Sequence, residues 1–193
     1  SSSVYGGNDK FPFEETDTTD HPCSLYAATK KSAEVLTHSY CHLHGMKASG
    51  LRFFTVYGPW GRPDMAPMKF AKAILDGNPI PLFNGGDMWR DFTYIDDIVN
   101  GVIAVMGTPP AKHEIYNIGN NQPVRIDEFV KTLEDVFGKK AIIDTPPAPP
   151  TEVYKTFANT DKLTRVTGYT PATSLRDGLT KMAEWYVPWH EKS

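Results

Sequence analysis

The chain has little cysteine: two residues in 193, at positions 23 and 41. Their spacing suits neither a metal site nor a disulfide framework, so Cys23 and Cys41 read as reduced thiols. No apolar run approaches the roughly 18 residues that a membrane span needs, and no signal-peptide pattern opens the sequence. Together these absences lead us to expect a cytoplasmic location and no membrane association. Net charge is −3 and the basic residues are scattered, which leaves no electrostatic footprint for nucleic acid. His38, His42 and His44 share one expected helix, but no carboxylate or third ligand accompanies them, so no metal is expected.

A further absence concerns glycine. None of the fifteen glycines falls into Gly-x-x-Gly-x-x-Gly or Gly-x-Gly-x-x-Gly, the loop on which a dinucleotide pyrophosphate docks at a helix N-terminus. Gly6-Gly7 and Gly85-Gly86 do not fit that pattern. We therefore expect the C-terminal part of a longer protein, inactive when isolated.

What is present is a chemical constellation. Tyr26-Ala-Ala-Thr-Lys30, with Ser1-Ser2-Ser3-Val4-Tyr5-Gly6 upstream, supplies a phenol, an ammonium and hydroxyls suited to redox chemistry on an alcohol. Residues four apart share a helix face. An ordinary phenol is a poor base at neutral pH, and a shift of about 3 pKa units requires about 4 kcal/mol. One ammonium at roughly 5 Å supplies about 3 kcal/mol at an effective dielectric near 20. Taken alone, Tyr-x-x-x-Lys is weak among nine tyrosines and twenty basic residues. Its surroundings strengthen it. Ser24 is placed to cap a helix, and Ala33, Leu36, Tyr40 and Leu43 come after it at helical spacing, an expected buried face. After Gly45 comes an apolar strand, 48–56. A helix feeding a strand is what a parallel sheet requires.

Further along, Val4–Gly6 reads as a strand end and 8–22 as a polar loop. A helix is expected over 67–76, stopped by Gly77-Asn78-Pro79. Residues 80–83 and 88–94 read as a hairpin around Asn84-Gly85-Gly86-Asp87. Asp96-Asp97 opens a helix with Ile98, Val99, Val102, Val105 and Met106 inward; the paired acids suit its dipole better than a catalytic dyad. Next come a strand over 114–118, a helix with Val130, Leu133 and Phe137 inward, and a proline-rich connection at 146–150. The last helix, about 174–186, begins at Ser174-x-x-Asp177, which resembles a capping box.

These segments taken together resemble the extended short-chain dehydrogenase/reductase family, and within it the nucleotide-sugar epimerases. The resemblance rests on the serine run before Val4-Tyr5-Gly6, on Tyr26-x-x-x-Lys30, on Leu51 to Pro59, on Arg90-Asp91-Phe92-Thr93-Tyr94-Ile95-Asp96-Asp97, and on Gly168-Tyr169-x-Pro171-x-Thr173-Ser174-Leu175. The string Phe53-Phe54-Thr55-Val56-Tyr57-Gly58-Pro59-Trp60-Gly61-Arg62-Pro63-Asp64-Met65 is similar to UDP-glucuronate 4-epimerases in particular. The implied fold class is α/β: the C-terminal part of a Rossmann-type parallel sheet (1–60 and 91–118) with a small α/β substrate domain (61–90 and 119–193). The implied cofactor is NAD and the implied substrate a UDP-sugar. The implied partners are the glycine-rich N-terminal half of the Rossmann domain and a second copy in a homodimer.

Roles carry over by position. Tyr26 would be the base toward the sugar 4-hydroxyl, Lys30 would bond the nicotinamide ribose, and Ser1 would bond the 4-oxygen. Ser2 and Ser3 reach the sugar, Phe54 lines the nicotinamide, and Thr55 contacts sugar or diphosphate. Arg90 would grip the UDP phosphates, a task suited to a guanidinium fork. Glu152 stands where the family has an acid on the uridine ribose, although Pro150-Thr151-Glu152-Val153 departs from the familiar Pro-Gly-Asp-Val. Arg62, the free guanidinium nearest Thr55 in sequence, would hold a C5 carboxylate; the alternative is that it anchors its loop. Arg52 reads as a structural ion pair and Phe53 as core. Two competing functions stay open: a related decarboxylase or dehydratase, and a non-catalytic substrate-binding piece. Ser2-Ser3, where a dehydratase carries Asp-Glu, argues against dehydration.

Overall fold

The computed structural model describes residues 1–149 and 153–192. Helix α1 spans Leu25–His44. Ser24 caps it by accepting from the Ala27 N–H at 3.1 Å, and left-handed Gly45 ends it. Strand β1 (Ala48–Phe53) comes next, then β2 (Thr55–Tyr57). The expected single strand is thus two, because the chain changes partner at Phe54. β1 pairs in parallel with β5 (His113–Ile118), and β2 in parallel with β4 (Trp89–Tyr94). The Phe54 N–H still donates to the Ile118 carbonyl at 3.2 Å, closing the corner between the two sheets.

Helix α2 (Ala66–Asp76) leads into β3 (Pro79–Pro81), and α3 (Ile95–Met106) connects β4 to β5. Then come β6 (Pro123–Arg125), α4 (Ile126–Phe137), β7 (Ile142–Asp144), β8 (Lys155–Thr156), α5 (Asp161–Thr167) and α6 (Leu175–His190). β4 also pairs antiparallel with β6 and parallel with β8, while β3 pairs in parallel with β7. The expected hairpin over 80–94 is therefore wrong. Residues 83–86 form a tight 3-10 turn with Asn84 and Gly85 in left-handed conformation, and it separates two strands that belong to different sheets. The expected strand end at Val4–Gly6 is likewise a 3-10 turn, Ser2–Tyr5. The Ser1 hydroxyl caps it and Gly6 closes it at φ 59°.

The largest core lies between the β2/β4 sheet and helices α2, α4 and α6. Phe92 and Phe129 stack with centroids 4.0 Å apart, and Tyr57 meets both edge-on. Helix α6 comes so close to this stack that a Cβ at Gly178 would collide with Tyr57 Oη. Ser174 starts α6 with the expected capping pair: it accepts from the Asp177 N–H and donates to the Asp177 carboxylate.

One expected face is reversed. Leu36, Tyr40 and Leu43 of α1 are 65%, 61% and 71% exposed, while Ala27 and Cys41 point inward. Glu34, between those two, turns in toward β1. A small-residue face carrying one acid packs on the sheet, because Arg52 in β1 needs that acid. On α3, Ile98 and Val105 are buried as expected, whereas Val99 and Met106 face outward.

Phe129→Ala removes the fully buried centre of the aromatic stack and should cost about 3–5 kcal/mol of unfolding free energy in urea titration. Lys131→Ala, on the exposed side of α4, should change it by less than about 0.5 kcal/mol.

Candidate active site

A groove of about 1000 Å³ opens between α1, the serine turn and the corner where β1 passes into β2. It lies by the C-terminal ends of parallel strands, where α/β sheets bind ligands. The serine turn forms one wall. Ser1 Oγ donates to Ser3 Oγ at 3.1 Å and accepts from the Ser3 N–H at 3.3 Å, so the hydroxyls are clustered and half-buried. Tyr26 and Lys30, in the first two turns of α1, face the same groove. The Lys30 ammonium sits 5.3 Å from the Tyr26 ring centroid, and Tyr26 is 51% exposed. Phe54, buried, and Thr55, half-buried, form the floor.

Arg62 and Arg90 also line the groove. Arg62 is not the free guanidinium that was expected: its Nε donates to Asp64 at 3.0 Å and its Nη2 to the same carboxylate, with both side chains more than half exposed. Arg90 donates from Nη1 to the carbonyls of Trp89 and Tyr154, which fixes its stem along β4. Glu152 lies outside the described residues. Thus Ser1, Ser2, Ser3, Tyr26, Lys30 and Phe54 share one groove, and Thr55, Arg62 and Arg90 share it with them.

Behind the groove lies a polar network that the sequence signals only through Arg52. Arg52, 3% exposed, holds Glu34 with a two-point fork, Nε to Oε1 at 2.8 Å and Nη2 to Oε2 at 2.9 Å. Its Nη1 donates to Tyr5 Oη at 2.9 Å, and Tyr5 donates to Asn117 Oδ1 at 2.6 Å. Burial pushes the Tyr5 phenol up to about 12, against the pull of Arg52, so it stays a hydroxyl. Burial also acts to raise the Glu34 carboxyl, but the Arg52 hydrogen bonds and charge outweigh it and hold Glu34 below the ordinary glutamate range. The i, i+4 spacing from Tyr26 through Lys30 to Glu34 was the available signal for Glu34; nothing local marked Asn117.

A second buried acid, Asp91, stands next to Arg90 in the chain. It accepts from the Asn120, Asn121 and Ala158 N–H groups at 2.7, 3.1 and 2.9 Å. Desolvation raises its carboxyl in spite of those bonds. Among the described residues no group of three His, Cys, Asp or Glu side chains is arranged to hold a metal ion, and no helix is long and apolar enough to cross a membrane.

The parallel strands, the crossover helices and a groove at their C-terminal ends define a Rossmann-like α/β protein. Residues 1–119 match the NAD dependent epimerase/dehydratase family, to which the chain belongs. It is 46% identical to Protein CapI of Staphylococcus aureus, covering 100% of this chain and 63% of that protein. It is 47% identical to UDP-glucuronate 4-epimerase 4 of Arabidopsis thaliana, covering 98% of the chain and 47% of that protein. The crystal structure of UDP-glucuronic acid 4-epimerase from Bacillus cereus, in complex with UDP-glucuronic acid and NAD, superposes with a TM-score of 0.91 at 35% identity. That match covers 97% of this chain and 60% of the Bacillus chain. The chain thus spans less than two thirds of the length of these relatives.

The Arg52–Glu34 pair carries a pH signature. A carboxyl lower in the folded than in the unfolded state contributes stability that is present above the unfolded value and lost as pH falls through the folded one. Urea midpoints should therefore drop as pH falls below about 4.3, the ordinary glutamate value, and Glu34→Gln should flatten that part of the curve while lowering stability at pH 7.

Proposed function

We propose that this chain carries the catalytic and sugar-binding part of an NAD-dependent UDP-sugar 4-epimerase whose substrate is UDP-glucuronate and whose product is UDP-galacturonate. The observation that carries the reading is the groove shared by Tyr26, Lys30 and the serine turn, with the guanidiniums of Arg62 and Arg90 in its lining. On this reading residues 1–60 and 91–118 belong to the cofactor domain and 61–90 with 119–193 to the substrate domain.

The residues present suit the nicotinamide end of NAD. Lys30, beside Tyr26, would bond the ribose, and Phe54 would give an apolar wall. When bound, the cofactor supplies a reversible hydride acceptor. The chain's own residues do the rest. Tyr26 takes the proton of the sugar 4-hydroxyl and returns it. Ser1 holds the 4-oxygen, which becomes a ketone, and Ser2 and Ser3 bond the sugar as it turns over to present its other face. Arg90 and Glu152 hold the diphosphate and ribose. Two partners belong to the proposal. A glycine-rich half would complete the sheet along the edge of β1 that does not pair with β5. A second copy would cover Leu36, Tyr40 and Leu43, consistent with a cytosolic homodimer.

Joined to the N-terminal residues of a relative, the chain should interconvert UDP-glucuronate and UDP-galacturonate. Tyr26→Phe should lower kcat at least ~100-fold, the scale of general acid–base catalysis, with UDP-sugar affinity nearly unchanged. Near-normal turnover would remove Tyr26 as the base.

Arg62, with Thr55 and Ser2 or Ser3, is assigned to the C5 carboxylate. The 4-keto sugar is a β-keto acid, and loss of CO2 needs the breaking bond aligned with the ketone π system, so a carboxylate held near the sugar plane resists it. Binding requires Arg62 to leave Asp64. In the same joined enzyme, Arg62→Ala should raise KM for UDP-glucuronate at least about tenfold, the value of a charge-assisted hydrogen bond, and KM for UDP-glucose far less. It should also release CO2 and a UDP-pentose. Equal KM changes without pentose would leave Arg62 as a loop anchor and reduce the sugar assignment to UDP-sugars in general.

A further inference from the structure

An epimerase site in this groove, the reading on which the inference rests, carries one more geometric requirement. The serine hydroxyls and the Tyr26 phenol come from separate elements and must be held in register. Among the described residues, the backbone hydrogen bonds of the serine turn are short-range: Val4 N–H to the Ser1 carbonyl, Gly6 N–H to that of Ser3, Asn8 N–H to that of Tyr5. These set the shape of the turn but not its place against α1.

Its place is set by the side chain of its last residue, Tyr5. The Tyr5 ring stacks on Phe13 with centroids 4.6 Å apart, and its hydroxyl occupies a junction between Arg52 Nη1 and Asn117 Oδ1. Asn117 is itself fixed, because its Nδ2 donates to the Phe13 and Asn159 carbonyls and its N–H to Glu15. On the other side, the remaining guanidinium edge takes Glu34, one helical turn past Lys30 and two past Tyr26. One side chain therefore touches both elements that carry the reacting groups. Neither Arg52 nor Tyr5 lines the groove.

We propose that Arg52 and Tyr5 are positioning residues for the epimerase, a bracket that holds the Ser1–Ser3 turn at a set distance from the Tyr26–Lys30 face of α1. The guanidinium is required because only a planar fork can hold a carboxylate at two points and still direct a third donor at the phenol; an ammonium has the charge without that geometry. The phenol is required because it accepts from Arg52 and donates to Asn117 at once.

The test uses the joined enzyme and two conservative changes: Tyr5→Phe, which keeps the ring, and Arg52→Lys, which keeps the charge. Each should lower kcat by about 10–100-fold, the scale of a misplacement near 1 Å, with KM for UDP-glucuronate within about threefold. In a Tyr26→Phe background, Tyr5→Phe should add less than about threefold, because the bracket acts through Tyr26. Unchanged kcat, a rise in KM that matches the fall in kcat, or two losses that multiply in full would each overturn the proposal. An unsubstituted joined enzyme without epimerase activity would defeat the underlying reading instead, and a measurement on the 193-residue chain then decides the bracket. Arg52→Lys should shift and broaden the amide NMR signals of Ser2–Val4, remote in sequence, and leave those of α4 in place. Unperturbed Ser2–Val4 signals would sink it.

Discussion

Placing Arg52 at 3% exposure is expensive, because a buried ion loses several kcal/mol of hydration even after relaxation. The expense is offset only where the geometry is close to ideal and most of the remaining donors are used. Here the fork on Glu34, the bond to Tyr5 and a longer contact to the Glu15 carbonyl at 3.4 Å meet that condition. Much of the architecture depends on it. Glu34 must face the sheet, so α1 is rotated to turn its larger apolar residues outward. Tyr5 must reach the guanidinium, so the serine turn lies against α1, and Asn117 carries the same network into β5 and the loop near Phe13.

The change of partner at Phe54 is the second organising event. A straight strand over 48–57 would pair with one neighbour throughout and leave no crevice. Since β1 takes β5 and β2 takes β4, the Phe54 N–H bond to Ile118 spans the corner between them, and Phe54 and Thr55 at that corner line the groove. Asp91 secures the far side. It collects three backbone N–H groups from two loops beside β4, which fixes Ala158 and the 120–121 turn around the strand that presents Arg90. An uncompensated carboxylate in that position would be costly, and the converging N–H dipoles are what offset its desolvation.

The sequence made much of this legible and misled at definite points. The caps at Ser24 and Ser174, the glycine stops and the order of helices and strands arise from local chemistry, and local chemistry is what short windows record. Tyr26, Lys30 and the serines were legible from their own chemistry and spacing, and Thr55 and Arg90, in the same groove, through family resemblance. The face of α1 was misread because periodicity locates an apolar stripe without saying what it faces; Leu36, Tyr40 and Leu43 keep helical spacing although the sheet takes the other side. The hairpin was misread for a related reason. Asn84-Gly85-Gly86 is a tight turn in fact, but the partners of its flanking strands, β7 and the trio β2, β6 and β8, lie far away in sequence. Tyr5, Glu34 and Asn117 were missed because their links are made by side chains across separate elements: Arg52 joins Glu34 to Tyr5, and the Tyr5 hydroxyl carries the link on to Asn117.

Arg62 shows how an exposed ion pair and a functional assignment can coexist. Its bond to Asp64 is bidentate, yet both groups are more than half exposed, where such a pair contributes little because water screens it and two long side chains must be held still. A pair of that kind keeps the guanidinium extended near the groove mouth without committing it. A sugar carboxylate, on the proposed reading, would offer the guanidinium the same fork geometry and a charge-assisted bond. On the proposed reading the exchange favours an acidic sugar over a neutral one, because the neutral sugar offers the guanidinium nothing to replace Asp64. Discrimination then arises from the difference between two carboxylate environments rather than from a pocket shaped around one sugar.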